Sequence, residues 1–584
     1  MIYLVSSVAI VSSFMMIKKY ENKQNFWRCL AFAIITYVCY LCAVAGIMTV
    51  IHISVDIYTI SILNFLGVIC ISVYIYKKKE IQNYYINISD TLFIVVLICF
   101  TVCIFFSRFS KDLNIVFETS DPGVHLKSAM NFVNKKAVSG MYIGQLLNGL
   151  FIQSLEKFFA GEFVYKSFII QYGFNFFMAG YIFWAVIKKY QTNRIMCLVG
   201  DIITIAYMLG YPYNDMLYGF VYLQIAVTIV CYIIGLMQDY VYEKINIWAW
   251  GGMIGIGCLG VSIGYTLFAP PVYVSVLCFV AYKAYRESWL KSRSNFLPNK
   301  KFITCCLNIF ILPTFLTILI IVILPKIQGS STEYGTVLMV EGAIYRNLFS
   351  DFLLFILPAA YGLISGIKRK KINMISFCLP IFSVYYLYFF GEMLREQVST
   401  YYFYKLNYLM WMFICIAFVI GMEELVYREK ILFTIIVSGM ILLTASYLTN
   451  FETNLRQKNM NYTYYIEAPT FFRIYACNDV FKEYPKQMSE ELVEISGIVN
   501  SMDEDEKVVF VGCWQDLFWY EALTNQRLGN LYNYSYAEVI ERFKAEKYGK
   551  YAVVLKEAEG LEEYQQYIQE RIIYENDYAY IIGK

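Results

Sequence analysis

A succession of apolar stretches constrains this chain most, each close to the ~20 residues an α-helix needs to cross a bilayer. About fourteen can be traced, near residues 1–17, 29–50, 57–76, 90–107, 164–187, 195–211, 219–237, 247–266, 270–285, 302–325, 350–367, 373–391, 404–425 and 431–449. The 584 residues are 59% hydrophobic and 16% charged, whereas soluble proteins carry roughly a quarter charged residues. The charges gather after residue 450. The expected fold is therefore mainly α: a polytopic transmembrane domain over 1–449 and a small extracytoplasmic α/β domain over 450–584. Residues 1–17 lack a preceding basic stretch and a small-residue cleavage site, so they read as a retained helix.

Lysine and arginine give the orientation. Alternate connections hold Lys18, Lys19, Lys23 and Arg28; Lys77–Lys79; Lys188, Lys189 and Arg194; Lys244; Lys291, Arg293, Lys300 and Lys301; Lys368–Lys371; and Arg428 with Lys430. The opposite set includes the loops 51–56, 212–218 and 267–269, which have no Lys or Arg. Cations are retained in the cytoplasm. The N-terminus, the C-terminal domain and the longest internal loop, 108–163, are thus expected outside. No basic tract exceeds Lys368-Arg369-Lys370-Lys371, which reads as a topology anchor, and nothing points to nucleic acid.

Of sixteen cysteines, fourteen (Cys29 to Cys415) fall in or beside apolar stretches, where cysteine acts as a small hydrophobe. Cys477 and Cys513 lie in the tail, either paired or as two thiols.

Loop 108–163 carries Phe117-Glu118-Thr119-Ser120-Asp121-Pro122-Gly123-Val124-His125. Proline disfavours helix in the residue before it and suits the first helical position, which makes Asp121 an N-cap with the helix opening at Pro122. Leu126, Ala129, Met130 and Val133 then repeat at helical spacing, and a segment near 143–159 carries Leu147, Leu150, Phe151, Leu155 and Phe158. Both suit helices lying in the bilayer interface around an acidic turn. An aspartate before Pro-Gly also serves simply as cap and turn, and His125, one of two histidines, suits a structural hydrogen bond as well as a functional one.

Other charges lie in or beside outside connections: Arg346, Arg395, Lys405 within Tyr401-Tyr402-Phe403-Tyr404-Lys405, and Asp215 in Tyr213-Asn214-Asp215-Met216. Cations on the side they normally avoid, beside aromatics, fit an anionic headgroup. Lys405 is equally suited to snorkelling among tyrosines, and Asp215 to an ordinary turn. Asp201, two turns inside a span, is expected to face other helices.

A Glu-x-x-Asp motif in a large outside loop, amphipathic helices after it, many spans and an outside α/β tail together resemble the C-type glycosyltransferase superfamily. Those integral-membrane enzymes take sugars from polyprenyl-phosphate carriers. Many members place the acidic loop after the first span; here three further spans precede it. The resemblance implies transfer of a sugar to an extracytoplasmic glycan, lipid or protein. Asp121 would be the base for the acceptor hydroxyl, and Glu118 would position it or bind a divalent cation (Mg2+ or Mn2+). His125, Asp215, Arg346, Arg395 and Lys405 would serve substrate, the cations holding the departing phosphate.

In the tail, 507–512, 551–555, 572–574 and 578–582 read as strands, and stretches near 488–502, 514–523, 535–547 and 560–568 as helices. With no Gly-rich phosphate loop or metal-spaced cluster, the tail is expected to cover the site or recognise acceptor. Competing readings are a lipid or polysaccharide transporter, against which no internal repeat is seen, and a non-catalytic envelope-assembly protein. Few histidines and no nucleophile motif argue against a hydrolase.

Overall fold

The computed structural model describes residues 2–17, 23–78, 81–113, 117, 121–155, 163–239, 247–286, 300–323, 326, 337–342, 344, 349–369, 371–449, 490–502, 508–524, 526, 528, 534–545 and 549–584. The chain is mainly helical, with a small sheet near its C-terminus. The helices are α1 (Ile2–Met16), α2 (Phe26–Val50), α3 (Ile57–Lys78), α4 (Ile88–Phe109), α5 (Asp121–Lys135), α6 (Ile143–Leu155), α7 (Phe163–Ile187), α8 (Arg194–Leu209), α9 (Tyr211–Tyr218), α10 (Val221–Gln238), α11 (Ile247–Gly264) and α12 (Ala269–Ala284). A helical stretch α13 (Phe302–Ile323) follows, then α14 (Phe349–Lys368), α15 (Ile375–Leu394), α16 (Thr400–Arg428) and α17 (Lys430–Thr449).

Among the described residues, ten helices are long and apolar enough to cross a membrane. Four shorter apolar helices, Ile2–Met16, Gly251–Gly264, Phe355–Lys368 and Lys430–Leu442, fall where the other apolar stretches were expected. Burial separates a centre from a periphery. The apolar window of α10 is 89% buried and that of α16 83%, against 17% for α3 and α15. Helices that bury every face form the heart of the bundle, while those with an apolar but uncovered face suit contact with lipid. Close crossings use small residues: a Cβ on Gly421 of α16 would lie 1.9 Å from the Pro358 carbonyl oxygen of α14. In α13, Pro313 lacks the donor for the preceding turn, and the helix widens on either side into π-type turns, Leu307–Ile311 and Ile318–Ile323.

Contacts gather the basic connections at one end of the bundle. Asp239 accepts from Arg28 and, at 3.1 Å, from Lys189; Asp90 accepts from Lys188 at 2.5 Å and from Asn25 at 2.6 Å; Glu424 pairs with Arg369 and Arg428. At the other end, loop 51–56 meets the close of α5, with Val55 donating to the Lys136 carbonyl at 2.7 Å and Lys136 3.5 Å from Asp56.

The C-terminal region has strands β1 (Val508–Val511), β2 (Tyr551–Leu555), β3 (Ile572–Glu575) and β4 (Ala579–Gly583) in the spatial order β1-β2-β4-β3. The β1–β2 pair is parallel and the others antiparallel. Its helices are α18 (Glu490–Asn500), α19 (Trp514–Leu523), α20 (Tyr536–Lys544) and α21 (Gln565–Gln569). Strand alternation divides the core. Val509, Val511, Ala552 and Val554 pack with Val539, Ile540 and Phe543, while Val508, Phe510 and Val553 join Leu492, Ile495 and Trp519 in the core that continues into the bundle.

Two expectations for loop 108–163 need correction. Helix α5 includes Asp121 as its first residue instead of opening at Pro122, a one-residue difference that Pro122 in the first turn permits. Helix α5 buries an apolar stripe through Leu126, Ala129 and Phe132, but α6 does not show the single apolar face expected of it. Ile143, Gln145, Asn148, Leu150, Ile152 and Ser154 of α6 are all buried, so it is enclosed on most of its circumference, whereas Leu147 and Phe151 of its supposed apolar face are only half-buried. Helix α5 is packed between α6, where a Cβ on Gly149 would strike Phe132 at 2.2 Å, and α19 of the C-terminal region. Residues 114–116, 118–120 and 156–162, with Phe158 among them, lie outside the described residues.

Candidate functional site

Asp121 stands at the start of α5, where a carboxylate complements the helix dipole and Pro122 needs no hydrogen-bond partner for its nitrogen. Its Oδ2 accepts from the Tyr401 hydroxyl at 3.1 Å, a contact spanning 280 positions of sequence. That hydroxyl in turn accepts from the Lys405 Nζ at 2.5 Å. Tyr401 and Lys405 are one helical turn apart near the N-terminus of α16, so both present to the same side. The turn is fixed by Ser399, which caps the Tyr402 N–H at 3.4 Å, and by Glu341, which accepts from the Thr400 and Tyr401 N–H groups at 2.9 and 3.4 Å.

Lys405 is buried, 6% exposed, and its ammonium lies 3.8 Å from the Tyr401 ring centroid, 4.4 Å from Phe220, 5.4 Å from Tyr402 and 5.7 Å from Tyr265. Aromatic faces attract a cation without neutralising it. An ammonium has three donors; Tyr401 takes one, and no other hydrogen bond from Lys405 is seen among the described residues. Snorkelling to the surface is not what this side chain does.

Asp215 lies in the short helix α9, fully buried, within electrostatic reach of Lys405. Among the described residues its Oδ1 finds no hydrogen-bond partner, nor do the enclosed hydroxyls of Tyr265 and Tyr408. Buried polar atoms are nearly always partnered, by protein or by water, and of these the Tyr265 ring lies 5.7 Å from the Lys405 ammonium.

His125, one turn after Asp121, packs edge-on against Tyr222 with ring centroids 4.5 Å apart. Its Nδ1 is enclosed and has no hydrogen-bond partner among the described residues. Enclosure pushes the imidazole down to about 4; Asp121 draws it upward and Lys405 pushes it further down. Near neutrality His125 is therefore uncharged. The turn that carries Gly219 is tight: its φ of 75° is left-handed, and a Cβ there would meet Pro122 Cγ at 2.0 Å. The Gly219 carbonyl accepts from Tyr172 at 3.0 Å.

The C-terminal region seats directly on α5. Gly123 lets α19 approach, since a Cβ there would be 3.1 Å from Phe518 Cβ. Lys127 of α5 pairs with Glu521, a buried carboxylate that also accepts from the Leu528 N–H at 2.8 Å. Trp519 stacks on Phe117, centroids 6.3 Å apart. Cys513 leads into α19 with its thiol on Asp516 at 3.0 Å; Cys477 lies outside the described residues.

Asp121, His125, Asp215 and Lys405 are thus brought together. Arg395 is not: its exposed guanidinium pairs with Glu392 at 3.1 Å. Glu118 and Arg346 lie outside the described residues. Sequence reading passed over Tyr401, Tyr402, Tyr265 and Phe220 as site residues; the Tyr401–Lys405 spacing was the available signal. Among the described residues no three His, Cys, Asp or Glu side chains converge to hold a metal. Asp121 meets the Tyr401 hydroxyl, and Glu118, the other carboxylate of the motif, lies outside the described residues. No protein-family model matches this chain, and no curated protein matches it by sequence.

Proposed function

We propose that this chain is a membrane glycosyltransferase that moves a sugar from a polyprenyl-phosphate carrier to an acceptor hydroxyl on the extracytoplasmic side. The acceptor would be an envelope glycan, a lipid or a protein. In this reading the basic end of the bundle faces the cytoplasm, and all four shorter apolar helices cross the membrane with the ten longer ones. The observation that carries the proposal is the hydrogen-bonded chain Asp121–Tyr401–Lys405.

The chemistry asks little beyond these groups. The acceptor oxygen forms a bond to the anomeric carbon as the bond from that carbon to the phosphate oxygen breaks. The acceptor proton passes to Asp121, and the electron pair of the broken bond leaves on the phosphate, whose charge Lys405 meets. Tyr401 positions both by donating to one and accepting from the other. His125, neutral and edge-on to Tyr222, offers Nδ1 as an acceptor for a sugar hydroxyl. Helix α19 on the outer side of α5 covers the base and fits acceptor recognition.

Asp121→Asn is the test. Asparagine caps a helix about as well as aspartate, yet its amide cannot take the proton. Full-length protein in liposomes, assayed for release of sugar from a polyprenyl-phosphate donor, is expected to lose transfer in Asp121→Asn while keeping its thermal stability. Transfer at the wild-type rate removes the base and with it the proposal. A second reading, a lipid or polysaccharide transporter, is favoured by Asp215 and Lys405 buried inside spans, where charges mark substrate or ion pathways. It predicts carrier movement across the bilayer with no glycosidic bond formed.

A further inference from the structure

The ring of Tyr222 does more than pack against His125. It also lines a cavity of about 220 Å3 between α5, α6 and the start of α10. That volume is large beside the ~10–15 Å3 that admits one water and falls below the roughly 300 Å3 at which sites for drug-sized ligands begin. One small ring is the occupant such a space suits. The lining comes from the continuous described runs 121–155 and 163–239.

The sequence explains why the cavity is there. Ser128, Asn131 and Lys135 recur at i, i+3 and i+7, so α5 turns one polar side to it, with the buried Phe132 beside them. Gly144 of α6 lets the Tyr222 ring close in: a Cβ there would stand 3.1 Å from Tyr222 Cε1 and from Val221 Cγ1. Gln145, 7% exposed, forms a further wall. Its Nε2 donates to the Ser139 carbonyl at 2.8 Å, which fixes the amide and leaves Oε1 without a hydrogen-bond partner among the described residues. Lys135 and Ser139 are exposed and stand at the rim.

This lining selects a class of ligand. A lipid tail asks for apolar walls and a phosphate for several cations; here the walls carry hydroxyl and amide groups, and a single ammonium stands at the rim. A sugar matches what is present. Its neighbouring hydroxyls both donate and accept, as do the side-chain amides and the Ser128 hydroxyl, and the C–H face of its ring suits the rings of Tyr222 and Phe132. Position agrees with chemistry. Ser128 and Asn131 lie about 10 and 15 Å along α5 from Asp121 at 1.5 Å per residue, the reach of a short run of linked sugars.

We infer that this cavity holds one sugar residue of a glycan acceptor, a few linkages from the hydroxyl that meets Asp121. That the sugar belongs to the acceptor rests on the transfer reading above; that the cavity binds sugar does not.

Full-length protein in detergent is mixed with oligosaccharides released from the envelope glycans of its source cells, and the sugar retained is read by native mass spectrometry. Wild type is expected to retain short chains. Gln145→Leu, which removes the amide acceptor, and Ser128→Tyr, which fills the cavity from the half-buried wall of α5, are each expected to weaken retention by about tenfold or more. Ser128→Tyr leaves the Gln145–Ser139 contact in place, so it keeps the test valid if Gln145→Leu misfolds. Asp121→Asn is expected to retain sugar as wild type does. Sugar held through Gln145 in a protein whose Asp121→Asn variant still transfers at the wild-type rate removes the transfer reading and keeps the cavity as a sugar site, so the two fail separately. No sugar retained by wild type, or equal retention by wild type and both cavity variants, overturns the inference. Displacement of the retained sugar by inorganic phosphate does so too, since it makes the cavity an anion site.

Discussion

His125 allows the sharpest quantitative test of the site, because its surroundings fix both a charge state and a sign. Enclosure holds its pKa near 4 in the folded chain, against about 6.5 for an unperturbed imidazole. A group whose folded value lies below its unfolded value binds protons more readily when unfolded. Its contribution is therefore fully present above about pH 6.5 and is lost as pH falls toward 4. The gap of roughly 2.5 units at 1.36 kcal/mol each gives about 3 kcal/mol lost across that window. His125→Gln keeps a neutral polar group and removes the titration. With histidine carrying carbon-13 at Cε1, the protein has two signals, from His125 and from the exposed His52, and the variant assigns them by subtraction. The His125 signal is expected to hold its neutral shift down to about pH 5. Wild type should lose about 3 kcal/mol more than His125→Gln between pH 6.5 and 4 in denaturant unfolding in micelles. A His125 signal that titrates near 6.5, or equal pH dependence in the two proteins, refutes the enclosed neutral imidazole.

The remaining expectations use the same contacts. Tyr401→Phe keeps the ring beside Lys405 but removes the hydroxyl joining it to Asp121; transfer is expected to fall by about 10²-fold with little change in unfolding temperature, measured in liposomes. Glu521→Ala leaves Lys127, 26% exposed, without its partner and α19 without an anchor on α5, a loss of about 1.5–3 kcal/mol for a hydrogen bond between charged groups, read as faster proteolytic release of the C-terminal region. Gly219→Ala forces a side chain into a left-handed turn against Pro122, and is expected to cost about 1–3 kcal/mol or more and lower the unfolding temperature.

The spans were legible because bilayer thickness imposes a length on every crossing helix, and apolar composition reports that length directly. The C-terminal strands were legible for a related reason: Val508–Val511 and Tyr551–Leu555 are short, β-branched and bounded by turn residues. Helix α6 was not. Its apolar spacing suggested one buried face, yet Gln145, Asn148 and Ser154 are buried too, because its neighbours are other helices rather than lipid and water. Periodicity reports a boundary between two solvents, and a helix wholly inside protein meets no such boundary.

The site illustrates the same limit at longer range. Asp121 stood out through its Pro-Gly context and Lys405 through its place in a tyrosine run, but nothing local ties one to the other. Tyr401 does so across 280 positions, and the rings around the ammonium come from α16, from the turn after α9 and from the turn after α11. Glycine marks where those pieces had to meet. Gly123 admits Phe518, Gly219 admits Pro122, and Gly342 admits the Tyr401 ring at 2.9 Å from where a Cβ would stand. Each missing Cβ is a contact written in sequence without its partner's address. A chain in which α5, α9, α16 and α19 converge through three such approaches places its acidic residue by packing, so changes at these glycines should shift Asp121 relative to Tyr401 before they disturb the spans.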